Sequence, residues 1–156
     1  MCGLEFLRQA RQTGGGMRRL ARGYLIAVSI LNGLAGLVCG VLFILRPDGS
    51  LLQAGALLPT IRMLPLADVF FQDFLWIGVA MLLVLGIPNT IAAAMLIRRS
   101  GGEYVATMAA GVLLVMWTAF ELVFMYNALA VGFFVAGGLS IVASLVLTRK
   151  PTAAST

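Results

Sequence analysis

The sequence has no histidine, only two cysteines, Cys2 and Cys39, and only six acidic residues in 156. Without histidine, and with no cysteine pair at ligand spacing, zinc, haem and copper lose their usual ligands; no metal and no cofactor is expected. Cys2 lies in the N-terminal tail and Cys39 inside an apolar run, too far apart in depth to form a disulfide. There is no glycine-rich phosphate loop beside a lysine, no nucleophile elbow and no histidine base, which weighs against an enzyme.

Charge is scarce as well. Charged residues make up 11% of the chain and hydrophobic residues 61%, with a mean hydropathy of +1.02. Soluble domains run nearer 45 to 50% apolar, so this is a membrane protein. At about 20 residues per crossing, the length leaves room for four or five spans and no separate soluble domain. The net charge of +5 does not point to nucleic acid, because the arginines sit beside apolar runs rather than among aromatics on a soluble surface.

Four apolar runs stand out, at residues 23–45, 74–97, 104–126 and 129–147. The first is about 34 Å long as a helix, too long for an ordinary signal-peptide core, and reads as an anchor. Ahead of it, residues 1–22 carry five arginines around Gly14-Gly15-Gly16, which is expected to break any continuous helix and leave a disordered basic tail. Arg46-Pro47-Asp48-Gly49 ends the first span in a tight turn. Residues 51–71 are apolar but interrupted by Gly55, Pro59 and Pro65, and they carry Arg62 and Asp68. This stretch is expected to lie at the outer interface as one or two short helices over the bundle. Pro88 predicts a kink in the second span through its pressure on the Val84 carbonyl. Tyr126-Asn127-Ala128 makes the last two helices antiparallel neighbours. The fold class is all-α, a polytopic four-transmembrane-helix bundle with an apolar outer loop at 46–73 and a polar tail at 148–156.

Nine of the eleven Lys and Arg residues fall on one side: five in the tail, then Arg98-Arg99 and Arg149-Lys150. Arg46 and Arg62 fall on the other. The excess of basic residues on one side predicts cytoplasmic N and C termini in a plasma (inner) membrane.

Small residues recur at four-residue spacing: Gly36 and Gly40 in the first span; Gly132, Ala136, Ser140 and Ser144 in the fourth. In lipid, small side chains let helices approach closely, so these stripes read as helix contacts within one chain or between copies, and a homo-oligomer is expected. Asn32 and Asn89 each lie about 14 Å from the inner interface and are expected to pair as amides; a polar pair lining a permeation path beside Pro88 is the other reading.

Glu121 is the only acidic residue inside a long apolar run, with Trp117 one turn deeper. Asp73 opens the second span with Trp76 beneath it in the same way. One reading makes these an aromatic belt, a helix N-terminal acid and a Glu121 paired with Arg46 or Arg62. The other makes Glu121, Trp117, Asp73 and Trp76 the walls of an outward-facing ligand pocket.

Asp48-Gly49 after the first span, the Phe70 to Phe74 entry with Asp73, and Trp117 with Glu121 late in the third span together resemble small uncharacterised bacterial four-span inner-membrane proteins. The likeness covers most of residues 23–147 and implies no activity. Small multidrug-resistance transporters share four spans and a membrane glutamate, but theirs is in the first helix and their loops are short. DoxX-like proteins share the size and span count. Two functions follow: a non-catalytic accessory, assembly or lipid- or partner-binding protein, or a small transporter or binding protein for a cationic or amphipathic molecule. The partners expected are the lipid bilayer, a second copy or another membrane protein, and no nucleic acid.

The charge asymmetry generates a test. On a background lacking Cys2 and Cys39, a cysteine at Gly101 should react with an impermeant thiol reagent only after cell lysis, and one at Ser50 in intact cells. Labelling of Gly101→Cys from outside would reverse the topology.

Overall fold

The computed structural model describes residues 2–62, 67–70, 72–124 and 126–148, with side chains described from residue 15 onward except at 68. Pro65, Arg149 and Lys150 lie outside the described residues. Helix α1 runs Cys2–Leu45; α2 is Leu58–Ile61, α3 Ala67–Phe70, α4 Leu75–Met81, α5 Ile87–Arg98, α6 Glu103–Phe124 and α7 Ala128–Thr148. Four helical stretches are long and apolar enough to cross a membrane: 15–45, 75–98, 103–124 and 128–148. The fold is an all-helical four-helix bundle.

Glycines 14 to 16 do not interrupt α1. Each glycine costs a helix only about 1 kcal/mol relative to alanine, and nothing packs within 4 Å of Gly15 or Gly16 to force another path. Just beyond them, Arg18 donates to the Leu147 carbonyl at 2.9 Å and holds the extended helix against α7. The expected disordered tail is therefore a helical extension of the first span.

The second span is not a single α-helix. α4 and α5 are joined by a π-helical turn at Leu82–Gly86, which ends two residues before Pro88. At the place where Pro88 predicts a kink, this wider turn leaves room for a residue without an N–H. Two side chains serve the carbonyls there: Thr90 donates to the Gly86 carbonyl at 2.7 Å and Asn89 to that of Leu85 at 2.9 Å.

The spans form a ring in chain order. α1 packs on the whole second span and on α7, α5 packs on α6, and α6 packs most extensively on α7. The seam between α1 and the second span is set by glycines. A Cβ on Gly36 would meet the Gly86 amide nitrogen and lie 2.7 Å from Leu85 Cβ, and one on Gly40 would lie 2.9 Å from the Gly78 carbonyl. The α6–α7 seam is closed by Gly111 and Gly137, a pair not singled out from the sequence; a Cβ on either would lie 3.1 Å from the other's carbonyl. Ser140 and Ser144 are buried, but Gly132 has nothing within 4 Å and is exposed, so it makes no helix contact within the chain. A strict four-residue stripe drifts around a helix of 3.6 residues per turn, which carries Gly132 off the seam.

The described residues of the connection between the first two spans lie at one end of the bundle, here called the loop end, opposite the tail end at which the N-terminal helix enters. Two 3-10 turns, Ser50–Leu52 and Ala54–Leu57, lead into α2, and none of these pieces is long enough to cross. Asp48 Oδ1 accepts from the Ser50 amide at 3.0 Å and its hydroxyl at 2.8 Å, bonds that hold the carboxyl below its ordinary pKa. Gly49 adopts φ 73°, and the Phe74 ring lies so close that a Cβ would come within 2.8 Å of it. Phe74 also stacks on Phe43, with ring centroids 4.8 Å apart, and Ile61 completes a buried cluster that fixes the connection to the bundle.

Gly36→Ala should lower thermal stability in detergent by about 1 to 3 kcal/mol, because the added methyl meets backbone that cannot move aside. Gly132→Ala should change it by less than about 0.5 kcal/mol. Equal effects of the two would contradict this packing.

Candidate functional site

At the loop end α4 makes little contact with α6, although α5 packs on α6 farther in. Between them lies a cavity of about 280 Å³. Its walls come from Phe43 of α1, Phe74, Ile77 and Met81 of the second span, Trp117, Phe120, Glu121 and Phe124 of α6, and Leu129 and Phe133 of α7. Leu57 and Ile61 of the connection line it too. Leu85 and Leu114, both buried, form its deep end.

Among the described residues lining this cavity Glu121 is the single ionisable group. Its Oε1 accepts from Asn127 Nδ2 at 3.0 Å, and Asn127 Oδ1 accepts from the Ala130 amide at 2.7 Å. The short α6–α7 turn therefore caps α7 and holds the carboxylate with one side chain. The expected pairing of Glu121 with Arg46 or Arg62 is not formed. Arg62 instead donates to the Gln72 carbonyl at 3.0 and 3.3 Å, and the ion pair found among the described residues is Arg22 with Glu103. Trp117 lies 6.2 Å from Phe120, which lies 4.9 Å from Phe124, giving α6 an aromatic face. Thr118 is buried and its hydroxyl bonds within its own helix to the Leu114 carbonyl at 2.8 Å.

The structure thus brings Glu121 and Trp117 into one cleft but leaves Asp73 and Trp76 out of its walls. Asp73 Oδ1 accepts from the Leu75 amide at 2.9 Å at the start of α4. Trp76 is 46% exposed and meets Phe70 edge-on at 5.4 Å. The two carboxylate and tryptophan pairs, alike in sequence spacing, do not share a cavity. Asn32 and Asn89 are both buried, yet Asn89 bonds to Leu85 and Asn32 Nδ2 has no partner, so the expected amide pair is not made.

A second polar centre, at the tail end, was not singled out from the sequence. Arg22 donates through Nη1 to Glu103 at 2.8 Å and through Nη2 to the Leu96 carbonyl, with Tyr104 Oη 3.4 Å away. The Arg22 side chain is 24% exposed and that of Glu103 9%. In the sequence Arg22 counts only towards the basic flank of the first span; an acid, Glu103, opening a membrane helix opposite that flank is the available clue.

Comparison with protein-family models, with curated proteins and with solved structures finds no match to this chain. The functional reading therefore rests on the geometry.

Arg22→Ala should destabilise the bundle by about 3 kcal/mol, since it strands a buried carboxylate and a carbonyl together. Arg22→Lys should recover only part, because one ammonium cannot reproduce the two-pronged reach of guanidinium. Unfolding in mixed micelles measures both; an unchanged transition in Arg22→Ala would show that the pair is dispensable.

Proposed function

We propose that this chain is a non-catalytic integral membrane protein that binds an amphipathic cation in the cleft between its second and third spans. The positive head would sit at Glu121 and the apolar body would lie against Trp117, Phe120 and Phe74. The observation that carries the reading is Glu121 itself, a carboxylate in an aromatic cavity with no cationic partner among the described residues. A charge kept in such surroundings is costly, and a functional role is the default explanation for one.

The size of the cavity narrows the ligand. About 280 Å³ is at the lower edge of small-molecule pockets, enough for a compact ring system or a short single chain and far too little to enclose a diacyl lipid. Aromatic walls suit a quaternary or aryl ammonium through cation–π contact, worth about 2 kcal/mol when desolvated. The nine-to-two split of basic residues supports a plasma (inner) membrane with both termini cytoplasmic, which puts the cleft towards the outer leaflet. The resemblance to small bacterial four-span inner-membrane proteins agrees with that setting.

The test is binding of a fluorescent lipophilic cation to purified protein. Glu121→Gln should weaken binding at least tenfold without changing the melting temperature by more than a few degrees, because the amide still bonds to Asn127. Trp117→Ala should weaken it as well. Unchanged binding in both variants would end this reading and leave an accessory role with a protein partner.

A further inference from the structure

The loop-end cleft is long and narrow. The second span lines it from Phe74 to Leu85 and α6 lines it from Leu114 to Phe124, both at the three- and four-residue steps that keep to one face of a helix. Each of these stretches rises about 15 Å along the bundle. Spread over that length, a volume of about 280 Å³ leaves a section of about 20 Å². Carbon atoms in contact stand about 4 Å apart, so a channel of that section takes one extended hydrocarbon chain and not two.

Polarity is confined to one end of this channel. Glu121 stands one turn from the loop end of α6. Apart from the Trp117 indole, the polar side chain below it among the described lining residues is Thr118, whose hydroxyl is already taken up by the Leu114 and Val115 carbonyls at 2.8 and 3.3 Å. Leu114 and Leu85, both buried, close the deep end. The rise from Glu121 to Leu114 is about 10 Å. With carbon–carbon bonds of about 1.5 Å in a zigzag, that depth takes about eight carbons. Phe120 and Phe124 line the cleft yet are 38% and 43% exposed, so it is open along the flank of the bundle where α4 leaves α6 uncovered.

We propose that the ligand is a linear, single-chain ammonium amphiphile of about eight carbons, bound with its head at Glu121 and its tail running down to Leu85 and Leu114. The proposal rests on the cation reading of Glu121 and selects between the two shapes that the volume admits, a ring system and a chain. A polycyclic cation is too broad for the section and would stop at the rim, leaving the deep end unfilled; a chain fills it and buries its methylenes against apolar walls. A head at the loop end with a tail towards the midplane is also the posture such a molecule already holds in the leaflet on that side, because its charge stays near water and its chain does not. It enters through the open flank without inverting.

Nuclear Overhauser contacts between octyltrimethylammonium and the intact protein, deuterated except at leucine methyls and tryptophan rings and held in deuterated micelles, read where each end of the ligand lies. The N-methyl protons should contact the Trp117 ring and not that of Trp76, and the terminal methyl of the chain should contact the methyls of Leu85 and Leu114. Octyl glucoside, the same chain on a neutral head, should give no contact at Leu114, and Glu121→Gln should abolish both sets of ammonium contacts. Head contacts at Trp117 with chain contacts confined to Leu57 and Leu129 at the rim would overturn the proposal and leave the cation reading standing. Absence of head contacts at Trp117 in the unaltered protein would overturn both, as would equal contacts from octyl glucoside. Should Glu121→Gln fail to fold, the unaltered protein with the two ligands decides.

Discussion

Arg22 is the constraint on which the arrangement of helices depends. A guanidinium at the edge of an apolar bundle needs its donors satisfied by protein, and here two of its nitrogens reach the Glu103 carboxylate on α6 and the Leu96 carbonyl on α5. Three spans are thereby fixed relative to one another at one end. Glu103 is suited to its part by opening α6, where the exposed amides of the first turn favour a negative charge. Above this clamp, Leu25, Leu96 and Leu147 close the interior, and Tyr24 donates to the Ala136 carbonyl at 2.9 Å to bring α7 against α1.

With that end fixed, the two halves of the bundle diverge in character. Glycines draw α1 and the second span together along their length, and Gly111 and Gly137 do the same for α6 and α7. Nothing comparable joins α4 to α6. The Phe43, Phe74 and Ile61 cluster instead ties α4 to α1 and to the connection, so the second span leans towards the first and the cleft opens on its other side. The site is thus a product of unequal seams rather than of a motif in any one helix.

This explains what could be read in advance. The four spans were legible because hydrocarbon demands about 20 apolar residues each time, a requirement local in sequence. The seam at Gly36 and Gly40 was legible because two turns are too short for a four-residue spacing to drift, whereas Gly132 lies far enough along its stripe to leave the seam. Glu121 and Trp117 could be placed together from helical spacing alone, but Asp73 and Trp76 could not be joined to them, since depth says nothing about which face of a helix looks inward. Arg22 and Glu103 are 81 residues apart, and no pattern within either segment points to the other. The glycines at 14 to 16 misled because a conformational preference of about 1 kcal/mol each yields to the contacts that follow them.

The π turn at Leu82–Gly86 has a consequence for the geometry of the second span. A π turn accommodates about one residue more than an α turn, so the residues beyond it are rotated by about 100° relative to an unbroken helix. The half that carries Phe74 and Ile77 into the cleft and the half that carries Asn89, Ala92 and Leu96 into the core are therefore phased independently. Loss of one residue from that turn would leave the span just as hydrophobic and nearly as long, yet it would turn one half's inward stripe towards lipid. The length of this segment is a steric specification of the fold in its own right, separate from the identity of any side chain within it.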